Sequence, residues 1–261
     1  MSQVGPKGQV GRVGRKRSAL ATRAACVVVF VSSLSAFSTP LDLPDLAALP
    51  DSAGQPAKPN GRLFGTQDLG LLEAPDRDQW QKPDQIMDAL GVAEGSNVAE
   101  LGAAGGWFTL RLAERVGPNG NVYAEDIQQA MLDGIRRRMQ SQNRSNVKTV
   151  LGAASDPHLP GGLDAALISD AFHEMDLPED PKAVVTLLRN IARALKPQGR
   201  LGIVDWTPGG GGPGPKALQR GDPKRMIEVA RAAGLQLIKR EDFPPFVFLM
   251  VFGKASAKPT P

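Results

Sequence analysis

The chain predicts a doubly wound α/β domain: a mostly parallel seven-stranded sheet with a terminal antiparallel strand and helices on both faces. Strand-like and helix-like segments alternate from Arg77 to Lys254, the pattern that gives a parallel sheet covered on two sides. Short apolar strand segments such as "LDAALIS" show little polar alternation, in agreement with burial on both faces. The last two strand segments, "LQLIKREDF" and "FVFLMVFGK", are separated only by Pro244-Pro245, so the chain closes in a hairpin-like return and not in a helix.

The elements follow in order. "PDQIMDALGV" starts at Pro83, places Ile86, Met87 and Leu90 at helical spacing and stops at Gly91. "NVAEL" is a strand, and "WFTLRLAERVG" is a helix with Phe108, Leu112 and Val116 on one face, closed by Gly117. "NVYAED" is the second strand. "IQQAMLDGIRRRM" repeats apolar residues at Ile127, Met131, Ile135 and Met139, which reads as helix. "NVKTVLG" and "LDAALIS" are strands, Ala183 to Leu195 is a helix, "KPQG" is a turn and "RLGIVDW" a strand. "DPKRMIEVARAAG" carries its own helix signals: Asp222 as N-cap, Pro223 at the first position and Gly234 past the end.

Charge and composition limit the function classes. The 41 residues before Asp42 hold six basic residues and no acidic one, and the rest of the chain holds 25 basic against 27 acidic, a balance of −2 although the whole chain stands at +4. The folded part therefore offers no nucleic-acid footprint. The single cysteine, Cys26, and the two histidines, His158 and His173, are too few for a zinc centre of the usual ligands, and no carboxylate cluster favours magnesium, so no metal is expected. Residues 1–41 read as a targeting leader: a basic front, then the uncharged "AACVVVFVSSLSAFS", too short and too rich in serine for a stable membrane span. A secretory signal and an organellar transit peptide both fit. Residues 42–61 read as a Pro/Ala-rich linker, 62–254 as the folded domain with an N-terminal cap segment at 62–82, and 255–261 as a disordered tail.

The stretch "VAELGAAGGWF" raises the functional question. A run of glycine and alanine directly after a strand offers nothing to a core, and in doubly wound sheets the first strand-to-helix turn meets the ligand. Gly102, Gly105 and Gly106 clear that approach, and Asp126, 24 residues after Gly102, ends the next strand where an acid accepts hydrogen bonds from ribose hydroxyls. Glu125 takes that place if the strand ends one residue earlier. A nucleoside-containing ligand fits, and two families use such an arrangement: nicotinamide or flavin enzymes, and methyltransferases using S-adenosylmethionine. Glu100, two residues before the first glycine, suits a cationic ligand better than an anionic pyrophosphate. The spacing G-x-x-G-G differs from G-x-G-x-x-G, and the only tyrosine, Tyr123, lies inside a strand, so no Tyr-x-x-x-Lys pair exists for proton transfer.

On these residues the chain resembles the class I S-adenosylmethionine-dependent methyltransferases, and more narrowly a bacterial-type group with export-like leaders. Glu100, Gly102 and Gly106 match the E/D-x-G-x-G-x-G signature with Ala104 in the middle glycine's place. The resemblance covers Arg77 to Gly253. It implies S-adenosyl-L-methionine as cofactor, Asp126 as the ribose-binding acid, and an unidentified, small-molecule acceptor; it does not define the oligomeric state. Ala104 is tolerable at negative φ and costs ~1 kcal/mol if the turn needs positive φ. Where many relatives hold the adenine amino group with an acid, this chain has Ala153; Asp156, or the backbone at Ala153 and Ala154, stands in. The fourth strand, which in the group tends to end in Asp-x-x-His-His, is followed here by Asp170, His173 and Glu174, the candidate bases for an acceptor that arrives protonated. Trp80 and Lys82 lie where relatives lay a segment over the cofactor. Asp205, ending the fifth strand, faces the pocket by topology, and "TPGGGGPGPK" reads as a loop near its mouth or a linker. The alternatives are an NAD(P)-dependent oxidoreductase and a non-catalytic cofactor-binding relative. Because the methyl donor is made in the cytosol, an organelle that imports it, plastid or mitochondrion in a eukaryote, reconciles the leader with the cofactor better than export does.

Overall fold

The computed structural model describes residues 63–255 apart from 210 and 244. The expected leader, the linker and residues 256–261 of the expected tail lie outside the described residues. Seven strands form one sheet in the order β3-β2-β1-β4-β5-β7-β6: β1 (Asn97–Leu101), β2 (Asn121–Asp126), β3 (Val147–Leu151), β4 (Leu163–Ser169), β5 (Leu195–Trp206), β6 (Leu235–Phe243) and β7 (Val247–Lys254). The first five pair in parallel, and β7 runs antiparallel to both β5 and β6. The helices are α1 (Arg77–Gln81), α2 (Pro83–Leu90), α3 (Trp107–Val116), α4 (Gln129–Ser141), α5 (Phe172–Met175), α6 (Pro181–Ala194) and α7 (Pro223–Ala232), with a 3-10 turn at Thr66–Leu72. None of the described helices is long and apolar enough to cross a membrane.

Successive side chains of a strand point to opposite faces, and the buried residues sort accordingly. Val98, Val122, Ala165, Leu167 and Val204 pack with α2 and α3, and Ala124 of the same face packs with Leu132 and Ile135 of α4. Ala99, Leu101, Ala166, Ile168 and Ile203 pack on the other face with Phe172, Leu188 and Val229, from α5, α6 and α7. The central strands are mostly apolar because both faces are covered.

Local signals place the helix ends. Asp222 accepts the N–H of Lys224 and caps α7 ahead of Pro223, as the sequence indicates. Asp180 does the same for α6 by accepting from Ala183, so that helix begins two residues before Ala183 and ends one before Leu195. Two expectations are corrected. Ile127 does not join the apolar stripe of the following helix: Asp126 accepts the N–H of Gln128 at 2.9 Å, the chain bends there, α4 starts only at Gln129, and Ile127 is 40% exposed. The "KPQG" turn falls inside the bounds of β5, where pairing passes from Leu163↔Leu195 directly to Ala165↔Arg200 and Lys196, Pro197 and Gln198 stay exposed.

The sheet order fixes where a ligand can approach. From β1 the chain moves outward through β2 to β3, then crosses back to β4 on the other side of β1. The carboxyl ends of β1 and β4 therefore flank a crevice at the reversal, the place where open α/β sheets bind ligands.

Leu188 of α6 is fully buried against β4 and β5 residues. Leu188→Ala should destabilise the domain by about 2–5 kcal/mol through lost transfer energy and a cavity, measured as a lower urea midpoint with an unchanged slope.

Candidate functional site

The turn after β1 is held by the ends of its neighbours. Gly102, Ala104 and Gly106 all have positive φ, at 66°, 47° and 76°. Ala104 thus takes the strained alternative, about 1–2 kcal/mol for a residue with a Cβ. What holds it there is a hydrogen bond: Ala104 N–H donates to Oδ2 of Asp126 at 3.0 Å. Asp126 is the last residue of β2, its Oδ1 accepts from Gln128, and so each carboxylate oxygen carries one protein hydrogen bond and keeps acceptor capacity for a hydroxyl. Glu125 turns elsewhere. Its Oε2 accepts from Gly102 N–H at 3.4 Å, and its other oxygen lies where a Cβ at Gly152 would be, 1.7 Å away, so position 152 has no room for a side chain.

Three acids of this wall are buried, and burial dominates their titration. Desolvation pushes Glu100 up to about 7, against the hydrogen bond from the Thr109 hydroxyl and the pull of the Arg77 guanidinium. Desolvation, aided by neighbouring Asp126, pushes Glu125 up to about 8. Asp126 is also raised by burial, opposed by the backbone N–H groups it accepts.

The opposite wall joins the N-terminal segment to the end of β4. Arg77 and Asp170 form a buried ion pair at 2.6 Å, and Gln81 donates to Oγ of Ser169 at 3.1 Å and to Asp170 at 3.3 Å. Asp170, a candidate base, is thereby committed to α1; burial raises its pKa and Arg77 opposes the rise. The Arg77 guanidinium also lies 4.1 Å from the Trp107 ring centroid, and that of Arg111 lies 3.5 Å from it. Trp80 packs with Trp206 at 5.3 Å and Phe246 at 6.0 Å, while Lys82 is the left-handed joint between α1 and α2. Leu69 would meet a Cβ at Gly105, Arg138 pairs with Glu73 and donates to the Gly105 carbonyl, and Gln128 donates to that of Phe64. Residues 64–81 thus cover the outer side of the turn.

The remaining expected residues divide. His173 is buried in α5 with its ring Nδ1 3.0 Å from Oδ1 of Asp205, which the sequence placed at the pocket. Glu174 points to solvent. Ala153 and Asp156 exchange backbone hydrogen bonds just past β3, next to Gly152, whose N–H donates to the Asp126 carbonyl; Ala153, Ala154 and Asp156 are exposed. The glycine loop after Thr207 is clamped, since the Arg220 guanidinium donates to the carbonyls of Thr207, Gly211 and Pro215. Surface depressions of about 570 Å³ beside α4 and about 260 Å³ beside Asn190 are not lined by the turn. Among the described residues no group of three His, Cys, Asp or Glu is placed to hold a metal.

A family model described as a methyltransferase domain matches residues 98–199, from β1 to the "KPQG" turn. The chain carries a class I S-adenosylmethionine-dependent methyltransferase domain. The demethylmenaquinone methyltransferase of Lactobacillus johnsonii is 28% identical over 137 residues, 52% of this chain and 53% of that protein. That of Listeria welshimeri is 27% identical over 128 residues, 49% and 51%. The chain spans about half the length of the curated relatives it matches. Among solved structures, an S-adenosylmethionine-dependent methyltransferase from Aquifex aeolicus superimposes with a TM-score of 0.67 at 22% identity, covering 73% of this chain and 98% of that one. A TehB-like methyltransferase from Corynebacterium glutamicum gives 0.53 at 22%, covering 72% and 95%. Both likenesses concern the fold.

Within the methyltransferase domain, sequence reasoning missed Thr109, Gly152's dependence on Glu125, the Arg220 clamp, and above all Arg77 and Gln81. Their partners lie 93 and 89 residues away at Asp170. The available signal was local: an arginine beside a tryptophan in the short segment before the first helix.

The raised acids give stability a sign. A carboxyl whose folded pKa exceeds its unfolded value binds its proton more tightly when folded, so the stabilisation is present at low pH and is lost as pH rises through the folded value. For Glu125 the window runs from its ordinary 4.5 to about 8. The unfolding free energy should fall as pH rises through that window, by at most about 1.4 kcal/mol per pH unit for this group. Glu125→Gln should flatten the decline, read from urea midpoints across the range.

Proposed function

We propose that the domain transfers a methyl group from S-adenosylmethionine to a small-molecule acceptor. The observation that carries this reading is the charge balance of the crevice. Glu100, Glu125, Asp126 and Asp205 are buried there, Asp170 is spanned by Arg77, and Arg77 is the one buried lysine or arginine among the described residues. An excess of buried carboxylates repels an anionic pyrophosphate and favours a ligand bearing positive charge. The sulfonium and amino groups of S-adenosylmethionine meet that demand. The relatives named for methylating demethylmenaquinone support a small acceptor.

The residues fit the cofactor. Gly102 to Gly106 would leave the backbone open to it, Asp126 would accept its ribose hydroxyls, and Glu100 would face its positive charge. Gly152, Ala153 and Ala154 follow β3 beside Asp126, where the base would lie. When bound, the cofactor supplies an electrophilic methyl group. The protein's share is to align the acceptor, exclude water through the segment at residues 64–81, and take a proton where the acceptor brings one.

Calorimetry on the full chain should show binding of S-adenosylhomocysteine and none of NAD; tight binding of NAD alone would reject the assignment in favour of an oxidoreductase. Asp126→Ala should weaken S-adenosylhomocysteine about thirty- to a hundredfold, the equivalent of roughly 2–3 kcal/mol for two hydrogen bonds to a charged acceptor. Strong binding with no label transferred to any component of a cell extract would favour the non-catalytic reading, to which the strained Ala104 and the exposed Glu174 would then belong.

A further inference from the structure

Methyl transfer needs a base only when the acceptor atom arrives with a proton, and one side-chain pair in the crevice is arranged as such a base. His173 belongs to α5, whose Met175 and preceding Ala171 press on the first glycine of the turn: a Cβ at Gly102 would lie 2.9 Å from Ala171 Cβ and 3.2 Å from Met175 Cε. The His173 ring is gripped from β5. Asp205, fully buried, brings Oδ1 to 3.0 Å from the ring Nδ1 and accepts the backbone N–H of His173 on Oδ2, also at 3.0 Å. Trp206 N–H donates to the same Oδ1 at 2.8 Å and fixes the carboxylate in turn.

A carboxylate oxygen only accepts. The proton between the two side chains therefore belongs to Nδ1, and Nε2 is left with a lone pair. Nε2 has no hydrogen-bond partner among the described residues and is not sealed from solvent. The other two candidates are disposed differently, Asp170 being held by Arg77 and Gln81 and Glu174 facing outward. The charged groups that face the pair from neighbouring elements are Asp170 beyond β4, itself paired with Arg77 of α1, and Arg220 before α7.

We propose that Asp205 is a positioning residue that holds His173 as the Nδ1–H tautomer with Nε2 ready to take a proton, and that the acceptor accordingly carries an acidic O–H or C–H at the atom to be methylated. The inference rests on the methyl-transfer reading above. The balance is simple: the acceptor's electron pair bonds the methyl carbon, the carbon–sulfur pair stays on sulfur, and the acceptor's proton moves to Nε2, giving an imidazolium stabilised by Asp205 and later discharged to water.

The chain has only two histidines, so nitrogen-15 labelling of histidine gives a readable test by NMR. His158, exposed and bonded through Nδ1 to the Leu151 carbonyl, is the internal control. At mildly alkaline pH the full chain should show His173 with a protonated Nδ1, its proton shifted far downfield, and a non-protonated Nε2. Added S-adenosylhomocysteine should move the His173 resonances. Asp205→Asn should transfer the proton to Nε2 and, with the labelled acceptor from an extract, should lower kcat about a hundredfold at similar KM. A proton on Nε2 in the unaltered protein overturns the proposal, as does a His173 signal indifferent to bound S-adenosylhomocysteine; both need no variant and stand even if Asp205→Asn does not fold. Failure of S-adenosylhomocysteine to bind at all overturns the methyl-transfer reading itself, and the base with it.

Discussion

The hydrogen bond from Ala104 N–H to the Asp126 carboxylate is the constraint on which the crevice depends. It joins the turn after one strand to the tip of the next, and it can form only because parallel pairing sets Leu101 opposite Glu125, with Asp126 one residue further on. A slip of one residue would exchange the two acids and send every side chain of the strand to the opposite face. Asp126 then acts twice. It keeps an alanine in a backbone region that glycine usually occupies, and it presents acceptors to whatever lies over the turn. Glu125, facing the other way, takes the space above Gly152, so the third strand's exit is shaped by the second strand's acid.

The other half of the crevice depends on a buried ion pair reached across the fold. Arg77 and Asp170 are both shielded from water, and such pairs add little net stability while the loss of either partner leaves an uncompensated charge, at roughly 3–5 kcal/mol. Asp170 sits at φ 57°, directly after β4, and its backbone N–H donates to the Val204 carbonyl of β5. The ion pair therefore ties the N-terminal segment to the point where two central strands release their chains. That segment's position and the geometry of α5, which starts two residues later, are consequences of the same contact.

How much of this could be read from the chain follows from how far each interaction reaches. Helix ends were legible because their causes are local: Asp222 and Pro223 adjoin, and Gly91 follows the helix it closes. The sheet was legible because burial on both faces leaves mostly apolar strands with little polar alternation. The turn and Asp126 were legible because they belong to one strand-helix-strand unit. Ile127 was misplaced because an Asp126 side chain, invisible in a pattern of apolar residues, bends the chain before the helix begins. Arg77, Gln81 and Thr109 were missed because each is defined by a partner on another element, and His173 could be proposed as a base without any sign that Asp205 would orient it.

The surplus of buried acids has a consequence that joins these parts. In the unliganded crevice, repulsion and desolvation are relieved by protons, which is why Glu100 and Glu125 hold theirs to about 7 and 8. A cation relieves the same stress in the protons' place. Near neutral pH, protons and a positively charged ligand thus compete for one set of carboxylates, and ligand affinity rises with pH over the window in which those carboxyls ionise. A neutral thioether product relieves less of that stress than the sulfonium it derives from. If the methyl donor binds there as proposed, the same electrostatics weaken the hold on what remains after transfer, so acids that look costly to the fold would favour turnover over retention.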